Sequence, residues 1–168
     1  MSIFSVDVVG LPTPQGSMVS NGHKRGLRYT NDKVLKLWRN QLITELANAK
    51  PDEWDKQGAV SVSAVFRFER PKYHFGTGRN EGTLKPSAPE FHIVKPDLDK
   101  VTRSLGDSIE MAGLCPDQAI VSWNVAKRYC TDNESPGVLV TLINLAHEQQ
   151  TPGSEDLSDA GGTAPAGS

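Results

Sequence analysis

Hydrophobic and polar residues change period several times along this chain, and each change marks an element. IFSVDVV, residues 3–9, reads as a strand, and Gly10, Pro12, Pro14 and Gly16 break it into a loop. From about Asn31 to Asn48, Val34, Trp38, Leu42 and Leu46 recur at helical spacing, with Thr30 or Asn31 as cap and Pro51 as stop. AVSVSAVFRF alternates, setting Val60, Val62, Ala64, Phe66 and Phe68 on one face of a strand and Ser61, Ser63 and Arg67 on the other. Residues 70 to 94, rich in Pro, Gly and basic side chains, have no period and read as a long loop, a feature more often functional than idle in a small domain. Helical spacing returns with Leu98, Val101, Leu105 and Ile109, while Asp99, Arg103 and Asp107 follow each other on another face. AIVSWNVAKRY then alternates, with Val121, Trp123, Val125 and Lys127 on one face, and GVLVTLINL forms a last strand. Trp38 and Trp123 fall on apolar faces and are expected in the core.

This order predicts an α+β domain, a small mixed β-sheet with helices packed against it, over residues 1–147. Residues 148–168 are Gly, Ser, Ala, Pro, Thr and acid, a composition that predicts a disordered tail. With 168 residues, 37% of them hydrophobic, the chain suits one domain with a real core. No stretch approaches the roughly 20 apolar residues of a membrane span, and the N-terminus lacks a signal-peptide pattern, so a soluble cytoplasmic protein is expected. Cys115 and Cys130 read as packed, reduced thiols.

The net charge of −2 averages two unlike regions. All 18 Lys and Arg lie at or before Arg128, and over that span 14 acids oppose them, a body of about +4 suited to a polyanion. Basic density peaks between His23 and Arg39, where Lys24, Arg25, Arg28, Lys33, Lys36 and Arg39 face only Asp32. A solvated helix face explains part of that pattern equally well.

Candidate chemistry gathers in KPDLDK, residues 95–100. Asp97 and Asp99 fit the cap and first turn of a helix, where carboxylates satisfy backbone amides and complement the helix dipole. A calcium loop is excluded, since Val101, Thr102 and Arg103 follow where an EF-hand needs further ligands and Gly. Magnesium fits better, because it takes a few carboxylates plus water and phosphate oxygens; Asp117, in LCPDQAIV, is available as a third acid. Asp107 is most simply paired with Arg103, and neither His74 nor His92 is expected to ligate metal.

KPDLDKVTRSLGDSI followed by PDQAIVSWNVAKRY resembles the core signature of the RusA family of Holliday-junction resolvases, small metal-dependent endodeoxyribonucleases. GLPTPQGS and RPKYHFGTGRN...LKPSAP resemble its phage and prophage branch, so the resemblance spans roughly residues 6 to 143. It implies Asp97, Asp99 and Asp117 as ligands of Mg2+, with Mn2+ as a substitute, and Arg103, where the family usually has lysine, as an assisting cation. It also implies a homodimer that nicks four-way DNA junctions in pairs, without a small-molecule cofactor. Lys24, Arg25, Arg28, Lys95, Lys100 and Lys127, from the basic stretch and the surroundings of the acids, are the expected DNA contacts. Three departures stand out: Pro116 where another Asp is usual, Lys100 where Asn is usual, and Gln15 where a basic residue is common. A branched-DNA binder that does not cut, and a metal-dependent nuclease of flap DNA or RNA, are the competing readings.

Overall fold

The computed structural model describes residues 1–20, 27–29 and 31–145, with side chains throughout except at 18–20 and 27–29. Lys24, Arg25, Thr30 and the expected tail therefore lie outside the described residues, as does the side chain of Arg28.

Among the described residues eight helices and strands follow in order: strand β1 (Ser2–Val9), strands β2 (Met18–Ser20) and β3 (Leu27–Tyr29), helix α1 (Asp32–Ala49), strand β4 (Val60–Phe68), helix α2 (Leu98–Met111), and strands β5 (Ile120–Tyr129) and β6 (Gly137–Asn144). The expected α+β class holds. Four strands form one sheet in the order β1-β6-β4-β5. β6 runs antiparallel to both β1 and β4, whereas β5 runs parallel to β4, so the sheet is mixed. β2 and β3 pair as a small separate ribbon that the sequence pattern does not reveal.

The alternation in β4 is realised in full, with Val60, Val62, Ala64, Phe66 and Phe68 all buried. Through the sheet register they stand beside Val138, Val140 and Leu142 of β6, and the two helices supply Trp38, Leu42, Leu46, Val101, Leu105 and Ile109 to the same core. Each of these large side chains contributes on the order of 1.5–3 kcal/mol by leaving water. Trp54, which no periodicity singles out, meets Phe4 edge-to-face at 5.0 Å and donates its indole N–H to the Leu114 carbonyl at 2.8 Å.

Two expected core positions are corrected. In α1 the buried stripe runs through Leu35, Trp38, Leu42 and Leu46, while Val34 is 51% exposed. Successive steps of four residues drift by about 40° around a helix, which leaves Val34 at the trailing edge of the stripe and Leu35 in its middle. In β5 the alternation is present but the strand is the sheet's margin, and Trp123 is 36% exposed, Val121 62%. Val121 also falls in a break of register, between Val60 paired with Ile120 and Ser61 paired with Ser122.

Residues 70–94 contain no helix beyond two short turns, Lys72–His74 and Gly78–Asn80, yet they are well tied down. The Arg70 guanidinium donates to the Pro89 carbonyl at 2.7 Å and lies 4.2 Å over the Tyr129 ring.

Candidate active site

The proline of KPDLDK directs the chain into α2 without joining it: the Lys95–Pro96 peptide is cis, and Asp97 is the N-cap in an extended conformation. Its carboxylate makes no capping hydrogen bond and instead faces Lys100 Nζ at 3.3 Å. The bland expectation for Asp97, a side-chain cap, is thus not met. Asp99, in the first turn, faces Arg103 at 3.9 Å, with both side chains largely exposed. Pairs this exposed contribute little stability, which leaves the groups available to a ligand.

Asp117 opens the short turn Asp117–Ala119 immediately before β5. Helix and strand approach closely at Gly106, where a Cβ would lie 3.6 Å from the Trp123 ring and 3.8 Å from Asp117 Oδ1. Between them lies a hollow of about 490 Å³, into which Asp99, Arg103, Asp107 and Asp117 project from walls that include Leu98, Trp123 and Val125. Asp97 is not part of it. Residues two apart at a helix start are separated by about 200° around the axis, and Asp97 lines a second hollow on the other side.

Among the described residues no group of three or more His, Cys, Asp or Glu side chains stands close enough to hold a metal ion. What the fold does bring together are Asp99 and Asp117, two hard oxygen donors at one water-accessible hollow. That donor set fits magnesium, which is commonly held by one or two carboxylates with waters and phosphate oxygens completing its shell. Negative charge here is felt by Cys115: burial, reinforced by Asp117 and Glu110, pushes its thiol up to about 11, so it stays protonated and unreactive.

Two other side chains differ from expectation, and a third is defined by its packing. Asp107 pairs with Arg39 of α1 rather than with Arg103, fastening the two helices beside the hollow. Lys127 gives two of its donors to the Val94 and Pro96 carbonyls, each at 2.8 Å, and so braces the segment that delivers Asp97 and Asp99. His92 stacks on Phe68 at 4.4 Å and leans on Tyr129. Burial, with the Lys127 charge, holds its imidazole below the ordinary value. Helical spacing places Asp107 two turns after Asp99, but no sequence signal marks Arg39 as its partner.

An α+β domain that sets acids and cations around one hollow at a helix start has the make-up of a phosphodiester-cutting enzyme. The model of the endodeoxyribonuclease RusA family matches residues 10–143, and the chain belongs to that family. The match spans α1, α2 and all of β4 and β5, and with them Asp97, Asp99, Arg103 and Asp117. A search among curated proteins finds no match to the chain. Among the described residues no helix is long and apolar enough to cross a membrane.

Proposed function

We propose that this protein is a divalent-metal-dependent endodeoxyribonuclease that resolves four-way DNA junctions by paired nicks, acting as a homodimer. The observation that carries the reading is the hollow shared by Asp99, Asp117 and Arg103 in a chain matched to the RusA family over residues 10–143. Asp99 and Asp117 would hold Mg2+ or Mn2+; Asp97, which the resemblance implies as a third ligand, stands outside their hollow. The ion, when bound, supplies Lewis-acid activation of water and neutralises charge on the phosphate.

The chain's own side chains do the rest. Arg103, on the same helix face as Asp99, offers a forked cation to the non-bridging phosphate oxygens as negative charge develops there. Asp107 keeps the wall of the hollow fixed through its pair with Arg39. Lys95 and Lys100, beside Asp97, would attract the adjacent backbone phosphates, and Lys24, Arg25 and Arg28 would add further basic contacts. Lys127 serves the site through the backbone it braces. A four-way junction is close to two-fold symmetric, and the described residues of one chain offer one such acidic hollow; a C2 dimer would supply two in matching orientation.

The deciding experiment incubates the protein with a synthetic four-way junction, a matched duplex and a flap, each strand labelled in turn, with and without Mg2+ or Mn2+, alongside its solution mass. Symmetric paired cuts on the junction alone, metal-dependent and from a dimer, are expected. Equal cutting of linear duplex, or a preference for the flap, would defeat junction resolution and leave a metal-dependent nuclease; binding without cutting would leave a junction binder.

A further inference from the structure

Helix α2 carries a glycine that neither its backbone nor its packing calls for. Gly106 lies inside the helix, where alanine is the better helix former, and its φ is not positive. A Cβ there would meet nothing closer than 3.6 Å, an ordinary van der Waals contact, so crowding does not account for the missing side chain either. What that methyl group would enter is the acidic hollow. It would stand 3.6 Å and 3.9 Å from the benzo edge of Trp123 on one side and 3.8 Å from Asp117 Oδ1 on the other. Gly106 thus keeps open a gap between an aromatic ring and a carboxylate.

The ring itself is out of place for a packed tryptophan. Trp123 is 36% exposed, whereas Trp38 and Trp54 are 3% and 5% exposed. With Leu98 and Val125 it gives the hollow an apolar floor beside Asp99, Arg103 and Asp117. A metal ion and a phosphate use the acids and the arginine; neither uses an apolar floor. The nucleoside bonded to that phosphate does, and its covalent link obliges it to lie next to the acids.

We propose that Trp123 is where the acidic hollow reads its substrate: the base of the nucleotide joined to the scissile phosphate stacks on the indole, across the gap that Gly106 leaves. Every base has a π-face, so such a platform is tolerant of sequence. In continuous duplex both faces of a base are covered by its neighbours, while at a branch point pairing and stacking are already interrupted and a face is free. Stacking on Trp123 therefore favours a phosphate at a branch over one in linear DNA. The proposal rests on the DNA-cutting reading above and adds to it the residue by which the site tells the two apart.

The test follows single-turnover cleavage of a four-way junction in Mg2+ by the full-length protein at rising protein concentration, with the cut phosphates mapped first. Trp123→Leu, which keeps an apolar side chain at the sheet margin, should half-saturate at about tenfold higher concentration, as for loss of one stacked base. An abasic residue beside the cut phosphate should weaken the wild type to the same degree and leave Trp123→Leu no weaker than before. Gly106→Ala should melt at or above the wild-type temperature, yet half-saturate at higher concentration and lose the distinction between abasic and intact junctions; a purely structural glycine would not separate these readouts. In EDTA, junction binding should quench the tryptophan fluorescence of the wild type but not of Trp123→Leu, because Trp38 and Trp54 are buried. Should Trp123→Leu fail to fold, the wild-type abasic series and Gly106→Ala decide. An abasic residue that costs the wild type nothing on either side of the cut, or that costs Trp123→Leu as much as the wild type, overturns stacking on Trp123 while cleavage stands. Gly106→Ala with wild-type half-saturation overturns the role of the gap. A protein that neither binds nor cuts junctions overturns the underlying reading, and the role of Trp123 with it.

Discussion

Single side chains carry the sharpest expectations. Asp99→Asn and Asp117→Asn should each abolish cleavage while junction binding persists or tightens, since charge facing phosphate is removed. Asp97→Asn should do the same if it serves as third acid; a near-wild-type rate would assign it to Lys100 and the second hollow alone. Arg103→Ala should raise the barrier by about 2–4 kcal/mol, read as kcat in single-turnover cleavage, if it is a positioned charge stabiliser. His92 gives a different readout. Its imidazole is held below the ordinary value, so the unfolded chain takes up a proton near pH 6.5 that the folded chain refuses. That contribution to stability is present above about pH 6.5 and is lost as pH falls, and thermal midpoints between pH 7.5 and 5 should fall more steeply for the wild type than for His92→Phe. Asp99 and Asp117, which the fold brings to one hollow, could be singled out in the sequence because KPDLDK and PDQ are local motifs. The roles of Lys127 and His92 could not, because each depends on a partner brought near only by the fold: Lys127 reaches back 33 residues to Val94.

Elements read well wherever their period was long and one face fully covered. The nine residues of β4 and the apolar face of α2 were unambiguous in sequence, and both lie at the centre of the core. α1 was displaced by one residue, because spacing by fours does not by itself say which side of the stripe the core favours. β5 kept its alternation but lost its cover at the sheet margin, and β2 and β3, at three residues each, are too short to show a period. Joints between elements should be sensitive. The pair between Arg39, whose side chain is 15% exposed, and the 40% exposed Asp107 fastens α1 to α2. Arg39→Met is expected to lower unfolding free energy by about 1–2 kcal/mol in urea titrations, a modest figure because the carboxylate still meets water. At the β1–β6 seam a Cβ on Gly137 would stand 2.2 Å from the Val8 carbonyl oxygen, so Gly137→Ala should force the strands apart at a cost of about 1–3 kcal/mol.

The molecule as a whole is closed by β6. Leu145 donates its N–H to the Ala59 carbonyl just past the strand, and the described sheet uses nothing further along the chain. Truncation after Glu148 should therefore leave a single cooperative melting transition, and at low salt should tighten DNA binding by deleting Glu155, Asp156 and Asp159; loss of the transition would place the domain boundary later. Strand order was the least legible level, since Ser5 must find Thr141 across 136 residues of chain and no local pattern announces such a pairing. The strand made last occupies an inner position, with β1 on one side and β4 on the other. On a ribosome, β1 would wait without a neighbour until residues 137–144 have left the exit tunnel, so α1, α2, β4 and β5 can be fully synthesised while the sheet is still in two parts. A nascent chain stalled before Gly137 is expected to be cut readily by a protease probe and one stalled well beyond Asn144 to resist it. A domain assembled this way gains its working shape only once β6 has been made, so a chain stopped before Gly137 is expected to lack the assembled sheet on which the site depends.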